Sequence, residues 1–110
     1  MEVSKIKENS FAIKFVARIN GEIAGRAYLY IIKNNLHDRP YGLMEDVFVE
    51  EKYRGQRIGG SLVENLVKKA EELNCYKLIG QSRFDREHVH RLYEKLGFKK
   101  HGYNFRMDFK

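Results

Sequence analysis

The stretch VFVEEKYRGQRIGGSLVENLV, Val47 to Val67, restricts the fold of this chain more than any other. An apolar run gives way to a charged turn. A helix then starts on Gly59 and Gly60, which cost about 1 kcal/mol each against alanine in a helix interior. Apolar residues at Ile58, Leu62, Val63, Leu66, Val67, Ala70 and Leu73 still mark a helical stripe, running to about Asn74. A strand that passes through glycines into a helix requires a sheet with that helix laid upon it.

The flanking segments supply the rest of such a sheet. FAIKFVARI alternates with Phe11, Ile13, Phe15, Ala17 and Ile19 on one side, and Asn20-Gly21 suits a tight turn into EIAGRAYLYIIK, an antiparallel hairpin. The polar loop NNLHDRPYG leads to a third strand, about Leu43 to Glu50. Beyond the long helix come a short strand in YKLIGQS and a second helix that Asp85 is placed to cap and Gly97 to end. The alternation of Tyr103, Phe105, Met107 and Phe109 reads as a last strand. The expected fold is a mixed α/β (α+β) sheet: N-terminal antiparallel strands, then strand, helix, strand, helix, strand, in one domain over residues 1–110.

Composition narrows the function classes. At 110 residues, with 43% hydrophobic and 33% charged residues and one proline, the chain is globular in type. No apolar run approaches the roughly 18 to 20 residues of a membrane helix, and MEVSKIKENS lacks a signal peptide's apolar stretch, so the expected location is cytoplasmic. The single Cys75 excludes an internal disulfide and reads as a small buried hydrophobe. The net charge of +6 is uneven, with 7 Lys+Arg against 8 Asp+Glu through residue 51 and 14 against 7 after it. The basic half suits a phosphate-bearing molecule, nucleic acid or an anionic surface, or else is simply solvated.

The glycines fall in that basic half. A helix N-terminus presents unpaired N–H groups and a partial positive charge, and glycine lets an anion approach without meeting a Cβ. Arg54 and Arg57 are placed to add charge-assisted hydrogen bonds. The structural alternative is that Gly55 makes a turn and Gly59 or Gly60 allows close helix-to-sheet packing. Neither the Gly-Lys-Ser/Thr ending of a mononucleotide loop nor the dinucleotide GxGxxG is present.

These residues also resemble a known family. EDVFVEEKYRGQRIGGSLVENLV is similar to the acetyl-CoA-binding motif of the GCN5-related N-acetyltransferases (GNAT), and HRLYEKLGF resembles that family's following motif of a tyrosine ahead of Gly-Phe. The resemblance covers roughly Gly42 to Phe98, and MEDVFV, RGQRIG and LNCYKL are similar to segments of the glucosamine 6-phosphate branch. It implies that the backbone of Val47, Phe48 and Val49 pairs with the pantetheine arm of acetyl-CoA. It further implies that amides from Arg54, Gly55, Gln56, Arg57, Ile58, Gly59 and Gly60 hold the pyrophosphate. The sequence departs from the pattern in three ways. Arg57 stands at the signature's first glycine. Arg86 stands where many members have asparagine, though others carry arginine. The two helices that usually follow the family's first strand have no room.

Acetyl transfer needs a base to keep the attacking amine neutral and an acid for the departing thiolate. Simple alternation places Leu43, Glu45, Val47 and Val49 on one face, so Glu45 is expected among apolar neighbours, where desolvation raises a carboxylate's pKa. The resemblance gives Glu45 the role of base; the structural alternative is a carboxylate satisfied by backbone donors. Asp46, expected on the other face beside Met44 and Phe48, is the weaker candidate and a possible acceptor contact. Tyr93 shares a helical stripe with Val89, Leu92 and Leu96, which packing alone explains, whereas the resemblance makes it the acid at the CoA sulfur. The four histidines are scattered and suggest no metal site.

Two classes of function remain. One is an acetyl-CoA-dependent N-acetyltransferase acting in a ternary complex on an amine of a small molecule, such as an amino-sugar phosphate whose phosphate meets Arg106, or of a protein. A homodimer would then supply missing walls of the acceptor site. The other is a binding module, either for acyl-CoA without catalysis or for nucleic acid, although most aromatics fall on predicted apolar faces rather than among the basic residues.

Overall fold

The computed structural model describes residues 1–109. Residues 1–79 and 80–109 form two compact units. In the first, β1 (Phe11–Ile19), β2 (Glu22–Ile32) and β3 (Tyr41–Val49) form an antiparallel meander. The β1–β2 turn has positive φ at both Asn20 (50°) and Gly21 (83°), the twist that closes a two-residue hairpin. A 3₁₀ turn at Glu51–Tyr53 leads into helix α1 (Ile58–Glu72), which carries the chain to β4 (Leu78–Gly80). The sheet order is β1-β2-β3-β4, and no helix intervenes between β1 and β2.

The core of this unit lies between α1 and one face of the sheet. Ile58, Leu62, Val63, Leu66 and Ala70 are buried on the helix, as its stripe requires, against Ala24, Ala27, Leu29, Ile31 and Met44. The backbone approaches closely there at Gly25, where a Cβ would lie 2.8 Å from the Phe48 carbonyl oxygen and 3.1 Å from Leu62 Cδ1. Packing therefore demands glycine at residue 25, where the atom a Cβ would meet is backbone; at Gly42 it would meet the ends of Leu29 and Leu78 instead, at 2.9 and 3.0 Å. α1 stops in a Schellman arrangement: Asn74 is left-handed (φ 63°), its amide donates to Glu71 O, and the Cys75 amide donates to Ala70 O, both at 3.0 Å. Cys75 is half-buried rather than buried, because it lies just past the last turn of the helix.

In the second unit, α2 (Glu87–Lys95) begins at Arg86, with no side-chain cap. Asp85 does not cap it, since the cap lies one residue later than the sequence pattern suggests. Gly97 ends the helix at φ 105°, its amide donating to Glu94 O and the Phe98 amide to Tyr93 O. The expected last strand is not formed. Tyr103, Phe105, Met107 and Phe109 are between 76% and 93% exposed and carry no strand assignment. Alternation defines a face, but a strand also needs a neighbour to complete its hydrogen-bond ladder.

Candidate functional site

The first turn of α1 leaves its backbone donors open. Its leading N–H groups have no intrahelical partner, no side chain caps them, and no acidic residue lies in the first turn. Gly55 holds φ 83° and a Cβ there would point into open space. At Gly59 a Cβ would meet only Val49 Cγ2 at 3.6 Å, an ordinary contact, so packing does not require glycine at that position. Arg54 Nε donates to Val49 O at 2.9 Å and its guanidinium lies 5.4 Å from the Phe48 ring, which holds it at the end of β3. Gln56 and Arg57 are exposed beside it, and Gly60 is half-buried.

Strand β3 departs from simple alternation. Tyr28 pairs with Glu45 and Arg26 with Phe48, so Asp46 and Val47 together face Ala27 in a β-bulge, with Asp46 left-handed at φ 52°. The phase of the strand flips there. Gly42 and Met44 before the bulge, and Val47 and Val49 after it, face α1, whereas Leu43, Glu45 and Phe48 face the opposite way. Glu45 thus lies beside Tyr28, not among Val47 and Val49 as alternation predicts, and it is half-buried. Asp46 is exposed at the bulge, and its neighbours Met44 and Phe48 lie on opposite faces rather than together. Bulges free backbone groups from the ladder and re-aim side chains.

In the second unit Tyr93 serves the helix end itself. Its carbonyl accepts the Phe98 amide at 3.0 Å, and its ring lies 5.4 Å from that of Phe98 at 39°. The tyrosine and Gly-Phe of HRLYEKLGF therefore form a helix stop with the aromatic contact that often accompanies it. Val89, Leu92, Tyr93 and Leu96 are all half-buried, as the stripe predicts. Arg86 is the exposed residue preceding α2, and Arg106 Nε pairs with Asp108 Oδ1 at 2.8 Å in the exposed C-terminal segment. His90 Nε2 lies 2.7 Å from Arg83 O, and the His37 ring packs 4.7 Å from Tyr76. No group of three or more metal-ligating side chains converges among the described residues. No helix among them is long and apolar enough to cross a membrane.

The strand, the uncapped glycine turn and the two helices lie in one order, and a family model of that order matches. The description is Acetyltransferase (GNAT) family, and the match runs over residues 3–98. The chain belongs to the GNAT family. This GNAT chain is 37% identical over 95 residues to glucosamine 6-phosphate N-acetyltransferase of Trypanosoma brucei brucei, which covers 86% of this chain and 63% of that protein. It therefore spans less than two thirds of that relative's length. Among solved structures, a putative acetyltransferase from Agrobacterium tumefaciens superposes with a TM-score of 0.83 at 31% identity, covering 89% of this chain and 69% of the other. Glucosamine-6-phosphate N-acetyltransferase from Arabidopsis thaliana gives 0.80 at 26% identity, over 90% and 67%.

The GNAT signature explains what is unusual at Arg57. Its φ of 63° is a left-handed conformation that glycine, the signature residue there, adopts without penalty. Two features went unread in the sequence. Gly25 carried no signal outside the tertiary contact, whereas an aspartate inside a strand, a residue that tolerates left-handed backbone, was a usable sign of the bulge at Asp46.

Proposed function

We propose that this chain is an acetyl-CoA-dependent N-acetyltransferase, one domain over residues 1–110, transferring acetyl to a primary amine by direct attack in a ternary complex. The observation that carries the reading is the uncapped first turn of α1, with a glycine at residue 59 that packing does not require. In this reading the amides from Arg54 through Gly60 receive the pyrophosphate, with the guanidinium groups of Arg54 and Arg57 adding charge and Arg86 a further contact. Val47 and Phe48 offer backbone groups at the bulge to the pantetheine arm. Val49 offers fewer, since its carbonyl already accepts from Arg54.

Glu45 removes the proton that the amine loses, directly or through water. The neutral amine forms the C–N bond at the thioester carbonyl, the C–S bond breaks, Tyr93 supplies a proton to the departing thiolate, and the proton left on the amide nitrogen returns to the Tyr93 oxygen through solvent. The acceptor is an amino-sugar phosphate, a reading supported by the Trypanosoma relative, with Asp46 and Arg106 as further acceptor contacts; a protein amine is the other acceptor class. The exposed alternating residues Tyr103 to Phe109 support a homodimer in which a second copy completes that strand. A cytoplasmic location and independence from metal complete the proposal.

Titration calorimetry with acetyl-CoA at moderate salt tests the donor site, and stoichiometric binding is expected. Glu45→Gln is expected to lower kcat by about a hundredfold or more while leaving acetyl-CoA affinity unchanged. Undiminished turnover in that variant would remove Glu45 as the base.

A further inference from the structure

The face of the sheet turned away from α1 carries two cations from outside the proposed acetyl-CoA site, beside Arg54, whose guanidinium lies 5.4 Å from the Phe48 ring. One transverse row across the three strands reads Lys14, Tyr28, Glu45, and the next reads Val16, Arg26, Phe48. Lys14 Nζ stands 5.7 Å from the centre of the Tyr28 ring, and the Arg26 guanidinium stands 4.7 Å from that of Phe48. Tyr30 continues the aromatic floor, its ring stacked 6.3 Å from that of Tyr28. Tyr30 and Phe48 are 37% and 36% exposed, so part of the floor remains open beside the guanidinium groups on Phe48.

The charges on this face are held apart. Glu45, Lys14 and Arg26 form no ion pair among the described residues, although all three share the face. Each cation rests on an aromatic ring instead, and Lys14 and Glu45 are separated by one whole strand, about 9 to 10 Å between backbones. A carboxylate beside an aromatic floor, with Lys14 and Arg26 beyond it and Arg54 at its end, complements a molecule bearing an ammonium at one end and an anion at the other.

We propose that Lys14 and Arg26 form the anion-recognising part of the acceptor site, selecting primary amines that carry a phosphate or carboxylate roughly 5 to 10 Å from the nitrogen. This rests on the reading of Glu45 as the base that meets the amine. The amine end binds at Glu45, the body of the ligand lies on Tyr28 and Phe48, and the anion draws Lys14 or Arg26 off its ring. Both cations belong to strands β1 and β2, outside the segments that resemble the acetyl-CoA motif.

The test is titration calorimetry of glucosamine 6-phosphate and of glucosamine into the protein saturated with CoA. It compares the unaltered chain, the double variant Lys14→Met with Arg26→Met, and Lys68→Met, a charge-loss control on an exposed position of α1. Methionine keeps the aliphatic cover over the rings while removing the charge. Affinity for the phosphorylated sugar is expected to fall tenfold or more in the double variant only, with the weak binding of glucosamine unaltered. Equal affinity in the double variant, an equal loss with Lys68→Met, a parallel loss for glucosamine, or no preference of the unaltered chain for the phosphorylated sugar would each overturn the proposal. Binding is read without turnover, so a failure of catalysis, seen as undiminished activity in Glu45→Gln or none at all, is separable from a failure of this site.

Discussion

At Arg57 a long cationic side chain holds a left-handed backbone conformation at the entrance to α1, at a cost of about 1 to 2 kcal/mol against glycine. A strained residue persists where its surroundings fix it, and in the proposed donor site the gain is a guanidinium beside the pyrophosphate. Gly59 poses the reverse case, being small where space exists. Gly59→Ala is expected to fold with equal or slightly greater stability, since its Cβ meets only Val49, while acetyl-CoA affinity falls about tenfold. Thermal unfolding and calorimetry on the one variant separate packing from ligand access; unchanged affinity would place the phosphate elsewhere. At Cys75 burial pushes the thiol up from its ordinary value. Its folded pKa exceeds its unfolded one, so the linked stability is fully present below the unfolded thiol's ordinary value and is lost as pH rises through the folded one. Iodoacetamide should alkylate Cys75 at pH 8 more slowly in the folded chain than in urea.

Among the elements, β2 decides how closely α1 can approach. Gly25→Ala would drive a Cβ to 2.8 Å from a backbone oxygen, which cannot move as a flexible side chain can, and is expected to cost about 2 kcal/mol in the urea midpoint. A loss well below that would mean that the Phe48 carbonyl shifts freely, and with it the bulge of β3. The bulge was the main point where the strand escaped a reading by period. Its hydrophobic pattern predicted one continuous face, and the extra residue at Asp46 exchanged the faces of everything that follows. The helices were legible down to their stops, because Asn74 and Gly97 supply left-handed backbone locally; the start of α2 was not, since no side chain caps it.

Across the whole molecule, the basic excess of residues 52–110 accompanies the anion-receptive turn, whereas the cations of the proposed acceptor face come from the near-neutral half. Net charge by segment therefore points to the proposed donor turn and gives no sign of Lys14 and Arg26. The exposed C-terminal residues bear on assembly. Phe105→Asp with Phe109→Asp is expected to leave each protomer folded and to halve the mass seen by light scattering. A monomeric mass for the unaltered chain would remove the homodimer.

By itself the sequence determined the hairpin, the order of strands and helices, the stripe of α1 and the glycine turn, because periodicity, turn chemistry and helix stops act over a few residues. Only the tertiary structure decided which face Glu45 occupies, that Gly25 rather than Gly59 is the packing glycine, and that Tyr103 to Phe109 pair with no strand among the described residues. Each of those depends on a neighbour distant in sequence, and a local pattern fixes what a residue prefers without fixing what lies opposite it.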